Sequence, residues 1–543
     1  MNKIMSSPKK DALSKSCLRD FSVHFRRPYE IGRPVDEYNG EFGFDWVRDE
    51  YIYPILTIKE IKYPVIYAYS HDFTFSLLKD NYVRSVNKEI SYPNYFPSWL
   101  SIFASGCKGV LGSEEINAQG AVLDLEIHQD VIDAYYQDKL TVNGTVLIFE
   151  ASNTSIKIST FNNNQQTDYI EEPLSRFIDS ERVKVNLGTK TRYAYKKKKA
   201  ITVHCLGDVL KQNESITVIA KCGENKKEVG IIYLSRNDQV ITKGLVIVDV
   251  KVNGEILKRP ENYEKALKYN IFNQCLMVVQ VLKTDIFDLD RLSKTDAEVS
   301  AFVKKWWTKE ISEAYGKKFL EVCSNTLEQE SQNSIRNKTI NVEEDLSQEF
   351  QRELIDLYDR KRKVEDKLLS IYSEVEQKNY IFFAPICVSE TPKTENVYDP
   401  ISKKEISQPV WMNVLGSASY KPKSKFLTPR VKKIDMNSKE AFNELKWANT
   451  VAVFKDAMAT KEGFLKTFSH ELCHTFGLLH TFNVHGNKFR YQQGYTDNIM
   501  DYSYTDDGET SKFNKRQLVF RKDQVDEMYT INSKEKIFGD HNH

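Results

Sequence analysis

Four of the ten histidines fall within sixteen residues, in the segment SHELCHTFGLLHTFNVHG. On a helix, residues four apart lie on one face one turn apart, so His470 and His474 can present two imidazoles to a common metal ion. Glu471, between them, points to the side of that ion, where a carboxylate acts as a general base. Gly477 suits the left-handed backbone that ends a helix and turns the chain sharply, which returns His480 as a third ligand. Three neutral nitrogen ligands leave a fourth position for water, the open coordination of a catalytic zinc site rather than a structural one. The chemistry on offer is hydrolysis by a zinc-activated water, with Glu471 taking the proton and then giving it up.

A lone histidine on a helix is ordinarily packed or solvated. Here the five fixed positions of H-E-x-x-H-x-x-G-x-x-H coincide, which chance produces on the order of 10⁻⁵ of the time in a chain of this length and composition. Around Met500, twenty residues after His480, Asn498-Ile-Met500-Asp-Tyr502 has the form of a Met-turn. The two motifs, with FRKDQVDEMY further on, resemble the metzincin clan of zinc metallopeptidases and, within it, the pappalysin and cytophagalysin group. The resemblance is specific over 470–502, softer over 376–530, and not established before that. It implies a two-part catalytic domain, with an upper twisted sheet and backing helix, the zinc helix below the cleft, and an irregular lower part carrying the Met-turn and a closing helix. It also implies His470, His474 and His480 as zinc ligands, Glu471 as general base and proton donor, and Met500 as the hydrophobic base beneath the zinc. Tyr502 matches a tyrosine that in some branches ligates zinc or stabilises the transition-state oxyanion, with a packed tyrosine as the even alternative. The chain departs from the pappalysin group in having no cysteine after Asp507. Cys473 is either packed or a redox-sensitive thiol beside a ligand. His485, Asp506 and Asp507 could shape substrate binding or hold Ca2+, but a solvated loop explains them more simply.

These residues need a scaffold. The strand TVAVF at 450–454 runs directly into the zinc helix, and PVWMNVL at 409–415, or the segment after it, is the expected edge along which an extended substrate bonds through its main chain. NYIFFAPICV at 379–388 is a further strand. Thr295-Asp-Ala-Glu298 has capping-box spacing ahead of a helical face with Val299, Phe302, Val303 and Trp306, and a second stripe runs from Leu346 through Phe350, Leu354, Leu357, Val364, Leu368 and Tyr372 to Val375. Residues 266–543 therefore read as an α+β, metzincin-like zinc peptidase domain with a helical insertion at about 290–377. Residues 183–265 read as a small Ig-like β-sandwich, because Ile216, Val218, Ala220 and Cys222, and then Val246, Val248, Val250 and Val252, alternate with other residues. Cys205 and Cys222 would face each other there as buried thiols. Residues 1–182 form a β-rich N-terminal region of unknown role, with runs at 63–69, 121–127 and 144–150 and a loop at 163–166. The lysines of YAYKKKKA read as a solvated edge strand, or else a docking patch for an acidic partner. The expected fold class is multidomain: a β-rich N-terminal region, a β-sandwich, then the α+β catalytic part.

Lys plus Arg total 77 against 76 Asp plus Glu, a net charge of +1 over 543 residues, which leaves no global field to hold nucleic acid or an acidic membrane. Hydrophobic residues at 41% are enough for sizeable cores. No apolar run approaches the roughly 18 residues of a membrane span, so a soluble chain is expected. The basic start has no apolar stretch behind it, which points to the cytoplasm or to secretion by a signal-peptide-independent route. The eight cysteines are scattered and read as mostly reduced.

The expected function is a zinc-dependent endopeptidase with one catalytic Zn2+, acting on a protein or peptide substrate. One alternative keeps this peptidase but makes it a secreted toxin effector of a contractile, type VI-like system. GEFGFDWVRD at 40–49 is vaguely similar to N-terminal regions of such cargo, so a secretion-machinery partner would dock on the N-terminal region; aromatic core anchors explain the segment as well. A cell-wall amidase and a non-catalytic zinc-binding interaction protein are the others. The metzincin-like motif disfavours the amidase, and the intact Glu471 disfavours the binding protein. Cys107, in SGCKG, is a weakly supported candidate for a cysteine switch over the zinc.

Overall fold

The computed structural model describes residues 21–28, 38–46, 81–82, 95–105, 117, 119–131, 144–178, 183–187, 190–307, 346–361, 378–386, 388–399, 404–418, 449–482, 493–494, 496–503 and 517–533. The protein is multidomain and β-rich, with several sheets and some helices. Two compact units emerge: Met1–Thr242 with Lys265–Val278 and His480–Asp526, and Lys243–Glu264 with Val279–Leu479 and Glu527–His543.

The first unit is built on a β-sandwich. One sheet orders β1 (Ser22–Arg26), β4 (Ala121–Val131), β10 (Lys190–Cys205), β6 (Ile156–Thr160) and β7 (Asn163–Thr167), with β9 (Val183–Leu187) also paired to β10. The other orders β2 (Gly43–Asp45), β3 (Ser98–Ser101), β12 (Asn225–Leu234), β11 (Glu214–Cys222), β5 (Val146–Ala151) and β8 (Tyr169–Pro173). Alternate residues of each strand turn inward: Leu123, Leu125, Ile127, Ile201 and Val203 from one sheet meet Leu147, Phe149, Ile216, Val218 and Ala220 from the other in one buried cluster.

This sandwich corrects the expected module at 183–265. β9 to β12 share their sheets with strands drawn from 22–173, and β13 (Ile241–Lys251) belongs to a different sheet. Alternation identifies an apolar face but does not say which distant strand will cover it. Residues 163–166, expected as a loop, lie in β7. The lysine run lies in β10, where the registers of β9 and β6 leave a gap between Ala194 and Ile201, opposite a bulge in the pairing to β4, and Lys198 and Lys199 are exposed, as on a solvated edge. Lys196 reaches Asp124 at 3.4 Å and Lys197 lies 4.4 Å above the Phe161 ring. Phe42, Phe44 and Trp46 of GEFGFDWVRD are buried in the sandwich core. Cys205 is a buried free thiol, whereas Cys222 is disulfide-bonded, so the two are not facing thiols.

The opposite face of β1 carries His24, whose Nε2 lies 2.8 Å from Ser22 Oγ and whose ring lies 4.7 Å from that of Tyr95 and 4.4 Å from that of His128. Burial, then the charges of His128, Arg26 and Arg192, hold this imidazole well below its ordinary range. Below about pH 6.5 the unfolded chain takes up a proton that the folded chain refuses, so this stability is complete above that pH and lost as pH falls. Thermal midpoints should fall between about pH 7.5 and 5, and His24→Phe should flatten that slope. An unchanged slope in the variant would remove His24 as its source.

The second unit centres on a sheet in the order β14 (Met277–Asp288), β13, β15 (Lys378–Ala384), β19 (Thr450–Phe454) and β18 (Gly416–Ala418). β13, β15 and β19 are parallel, and β18 pairs antiparallel to β19 at the end of the order. PVWMNVL falls largely in β17 (Lys404–Val414), which pairs with β16 (Val388–Asp399) in a separate ladder, so the strand beside β19 is the segment after it.

Ile381, Phe382, Phe383 and all of β19 are buried, as expected for parallel strands covered on both faces. Leu245 to Val248 form the same kind of continuous buried run in β13. Helices α1 (Ala297–Trp307) and α2 (Leu346–Lys361) cover one face, with Tyr358 against Phe382 and Phe350 against Phe454. Helix α3 (Lys461–Thr475) covers the other, with Phe464 and Phe468 at 5.8 and 5.6 Å from Phe383. Within the described residues, the expected helical insertion is thus a layer of this sheet; Val364, Leu368, Tyr372 and Val375 lie outside them. Asp296, not Thr295, caps α1, its carboxylate accepting from the Glu298 and Val299 amides at 3.0 and 3.2 Å. Helix α4 (Lys522–Ser533) follows near the C-terminus. No helix among the described residues is long and apolar enough to cross a membrane.

Candidate metal centre

Helix α3 opens on Thr460, whose Oγ1 accepts from the Gly463 amide at 2.9 Å, and its apolar side is pinned by Phe464, Phe468 and Leu472. One turn apart on it, the buried rings of His470 and His474 lie 4.9 Å apart. The helix ends in a Schellman turn: Leu478 N donates to Cys473 O and Gly477 N to His474 O, both at 3.0 Å. Gly477 has φ +99°, a conformation that favours glycine, and a Cβ there would stand 2.4 Å from Ile531 Cδ1, so the Ile531 side chain would have to shift. Gly477→Ala should destabilise the protein by about 1–3 kcal/mol and weaken zinc binding by moving His480; chemical denaturation and a zinc titration check both.

Beyond this turn His480 arrives beside the helix. The candidate ligand atoms of His470, His474 and His480 all lie within 4.8 Å of one another. His474 donates its Nδ1–H to Leu478 O at 2.8 Å, which fixes the ring and leaves Nε2 as a lone-pair donor. Burial depresses its pKa to about 4 despite that hydrogen bond, so it is neutral near pH 7, as a metal ligand must be. Three converging imidazoles, one with its tautomer fixed, fit zinc by donor type and spacing.

Glu471 is half-buried on the same helix. Its Cγ lies against β18, where a Cβ added to Gly416 would stand 2.8 Å from it. Asn379 on β15 donates to Thr475 Oγ1 at 2.8 Å, fastening the last turn of α3 to the sheet. Cys473 is fully buried, and burial, with the Glu471 charge, pushes its thiol well above the ordinary range, so it packs as a protonated group.

The Met-turn segment is held from within. Met500 is fully buried, and its carbonyl accepts from Thr481 N at 3.1 Å, one residue past His480. Asn498 Oδ1 accepts from Met500 N at 2.8 Å, while its Nδ2 donates to Gln524 Oε1 on α4 at 2.6 Å. The fully buried Asp501 accepts from the amides of Gly494, Thr496 and Tyr502 and from Thr496 Oγ1, at 2.7–2.8 Å. Burial nevertheless raises its pKa against the pull of those donors. The Tyr502 ring lies 4.7 Å from that of His480 and 4.8 Å from that of Phe482, which stacks on His480 at 5.0 Å. Its carbonyl accepts from Gln517 at 2.6 Å.

Sequence reasoning did not pick out Phe482, Asp501 or Gly416. The first two are within or beside the motifs, but nothing in the sequence marks Gly416. His485, Asp506, Asp507 and Cys107 lie outside the described residues.

No protein-family model matches this chain, and no curated protein matches it. Among solved structures, the CooA pilin subunit from enterotoxigenic Escherichia coli is matched over 21% of this chain and 78% of its own, at 9% identity and a TM-score of 0.11, too slight a likeness to carry an argument.

Proposed function

We propose that the protein is a zinc-dependent endopeptidase, a reading carried by the convergence of His470, His474 and His480 within 4.8 Å. These three would hold the ion. When bound, zinc supplies Lewis acidity toward water and the scissile carbonyl. Glu471, adjacent to His470 and open to one side, takes a proton from the attacking water and passes it to the leaving amine. β18, which ends the order of its sheet among the described residues, offers main-chain groups to an extended peptide. Tyr502, whose ring packs on His480, would donate its hydroxyl to the developing oxyanion.

The parallel sheet with α2 behind it, α3 on the opposite face, and the turn around Met500 are the parts a metzincin-like domain requires, and they support that assignment. The cystine at Cys222 favours secretion over a reducing cytosol. The test is to incubate the zinc-loaded protein with a complex proteome, with and without a chelator, and sequence the new termini. New internal termini that vanish with chelator are expected; their absence, with zinc bound, would remove the peptidase reading.

A further inference from the structure

Arg27, just past β1, and Asp497, three residues before Met500, form an ion pair with both side chains more than nine-tenths buried. The Arg27 guanidinium lies 4.6 Å above the Tyr38 ring and 5.3 Å from that of Trp46, so the sandwich holds it on two further sides. The partners are 470 residues apart in sequence. Beside them, Val519 places its side chain in the sandwich core while its carbonyl accepts from Ile499 N at 3.0 Å and its amide donates to Asp497 O at 3.2 Å. Asp45, at the end of β2, accepts from Lys522 N at 2.7 Å, where α4 begins. The strands of the N-terminal region therefore touch both ends of the segment that carries Met500.

We infer that Arg27 is a positioning residue for the metal centre: through Asp497 the N-terminal sandwich sets the turn at 497–500, whose Met500 carbonyl holds Thr481 and with it the third ligand, His480. This rests on the zinc reading of the three histidines, but not on peptidase activity. A buried charge pair that served only to join two surfaces could be replaced by apolar residues with little loss. Here the pair ends on a turn bonded to the residue after a ligand, where outer contacts typically set metal affinity by about 10–100-fold. It follows that the N-terminal region is part of the catalytic framework and not a detachable carrier.

The test uses the full chain and two readouts other than activity. Zinc affinity, by chelator competition, and the visible spectrum of the Co2+-loaded protein are measured for wild type, Arg27→Met, Asp497→Asn and the double variant. Each single variant should lose about 10-fold or more in affinity and shift the Co2+ bands, and the double should be no worse than the singles, because both act through one contact. Should a variant fail to fold, hydrogen exchange on the wild type decides: zinc should slow exchange at 22–27 and 43–46 as well as at 470–501. Zinc bound with unchanged affinity in the folded variants, or protection confined to 470–501, overturns the inference alone. No zinc binding by the wild type overturns the metal centre and the inference together.

Discussion

Glu471→Gln should keep its zinc and lose about 10³-fold in kcat, within the range that a positioned general base contributes. The substitution preserves shape, so the side chain still fills the space against Gly416. Glu471 is not among the three residues whose ligand atoms converge, so metal content by elemental analysis should match wild type. What disappears is the lone pair that accepts a proton from water. The acid limb of the kcat/KM profile should disappear with it, because that limb reports the protonation of the base. Wild-type turnover in the variant would remove Glu471 from the mechanism. Loss of zinc would make it a ligand and not a base.

How much of this centre could be read in advance follows from the range of the interactions. His470 and His474 are one helical turn apart, and Gly477 turns the chain back just past the helix end, so local geometry brings the third imidazole within reach of the other two. The strand TVAVF and the helical stripe through Phe350 and Leu354 were equally legible, since each needs only its own periodicity. Pairing between distant segments was not. Val246, Val248 and Val250 alternate as any half-buried strand would, and only the continuous apolar run Leu245 to Val248 hints that β13 belongs in a parallel sheet with both faces covered. Arg27 and Asp497 are two ordinary charged residues until the fold joins them. Cys222 looked like one of a facing pair because parity is all a sequence reveals of a strand; its bond goes elsewhere.

Gly416 is the site residue least visible from sequence, and replacing it should nonetheless have the second-largest effect. A Cβ at this position would stand 2.8 Å from Glu471 Cγ, 3.0 Å from Thr467 Cγ2 and 3.2 Å from Ala452 O. The last of these is backbone of β19 and cannot yield, and Thr467 is buried in the body of α3. Of the three neighbours, Glu471 has the longest side chain with the most rotatable bonds, so its carboxyl end shifts furthest. Gly416→Ala should therefore cost about 1–3 kcal/mol of stability through overpacking, although the strand conformation there suits any residue, and should also move the carboxylate. A displacement approaching 1 Å at a reacting group can reduce the rate about 10²-fold, so a fall in kcat of about 10–100-fold with unchanged zinc affinity is expected. β18 is also the strand proposed to bind substrate, and damage to that pairing would appear as a raised KM with kcat spared, which separates the two effects. The double variant with Glu471→Gln should be no slower than Glu471→Gln alone, because once the base is gone its position no longer matters. Wild-type kcat in Gly416→Ala, or losses that add in the double variant, would show that β18 does not set the position of the base.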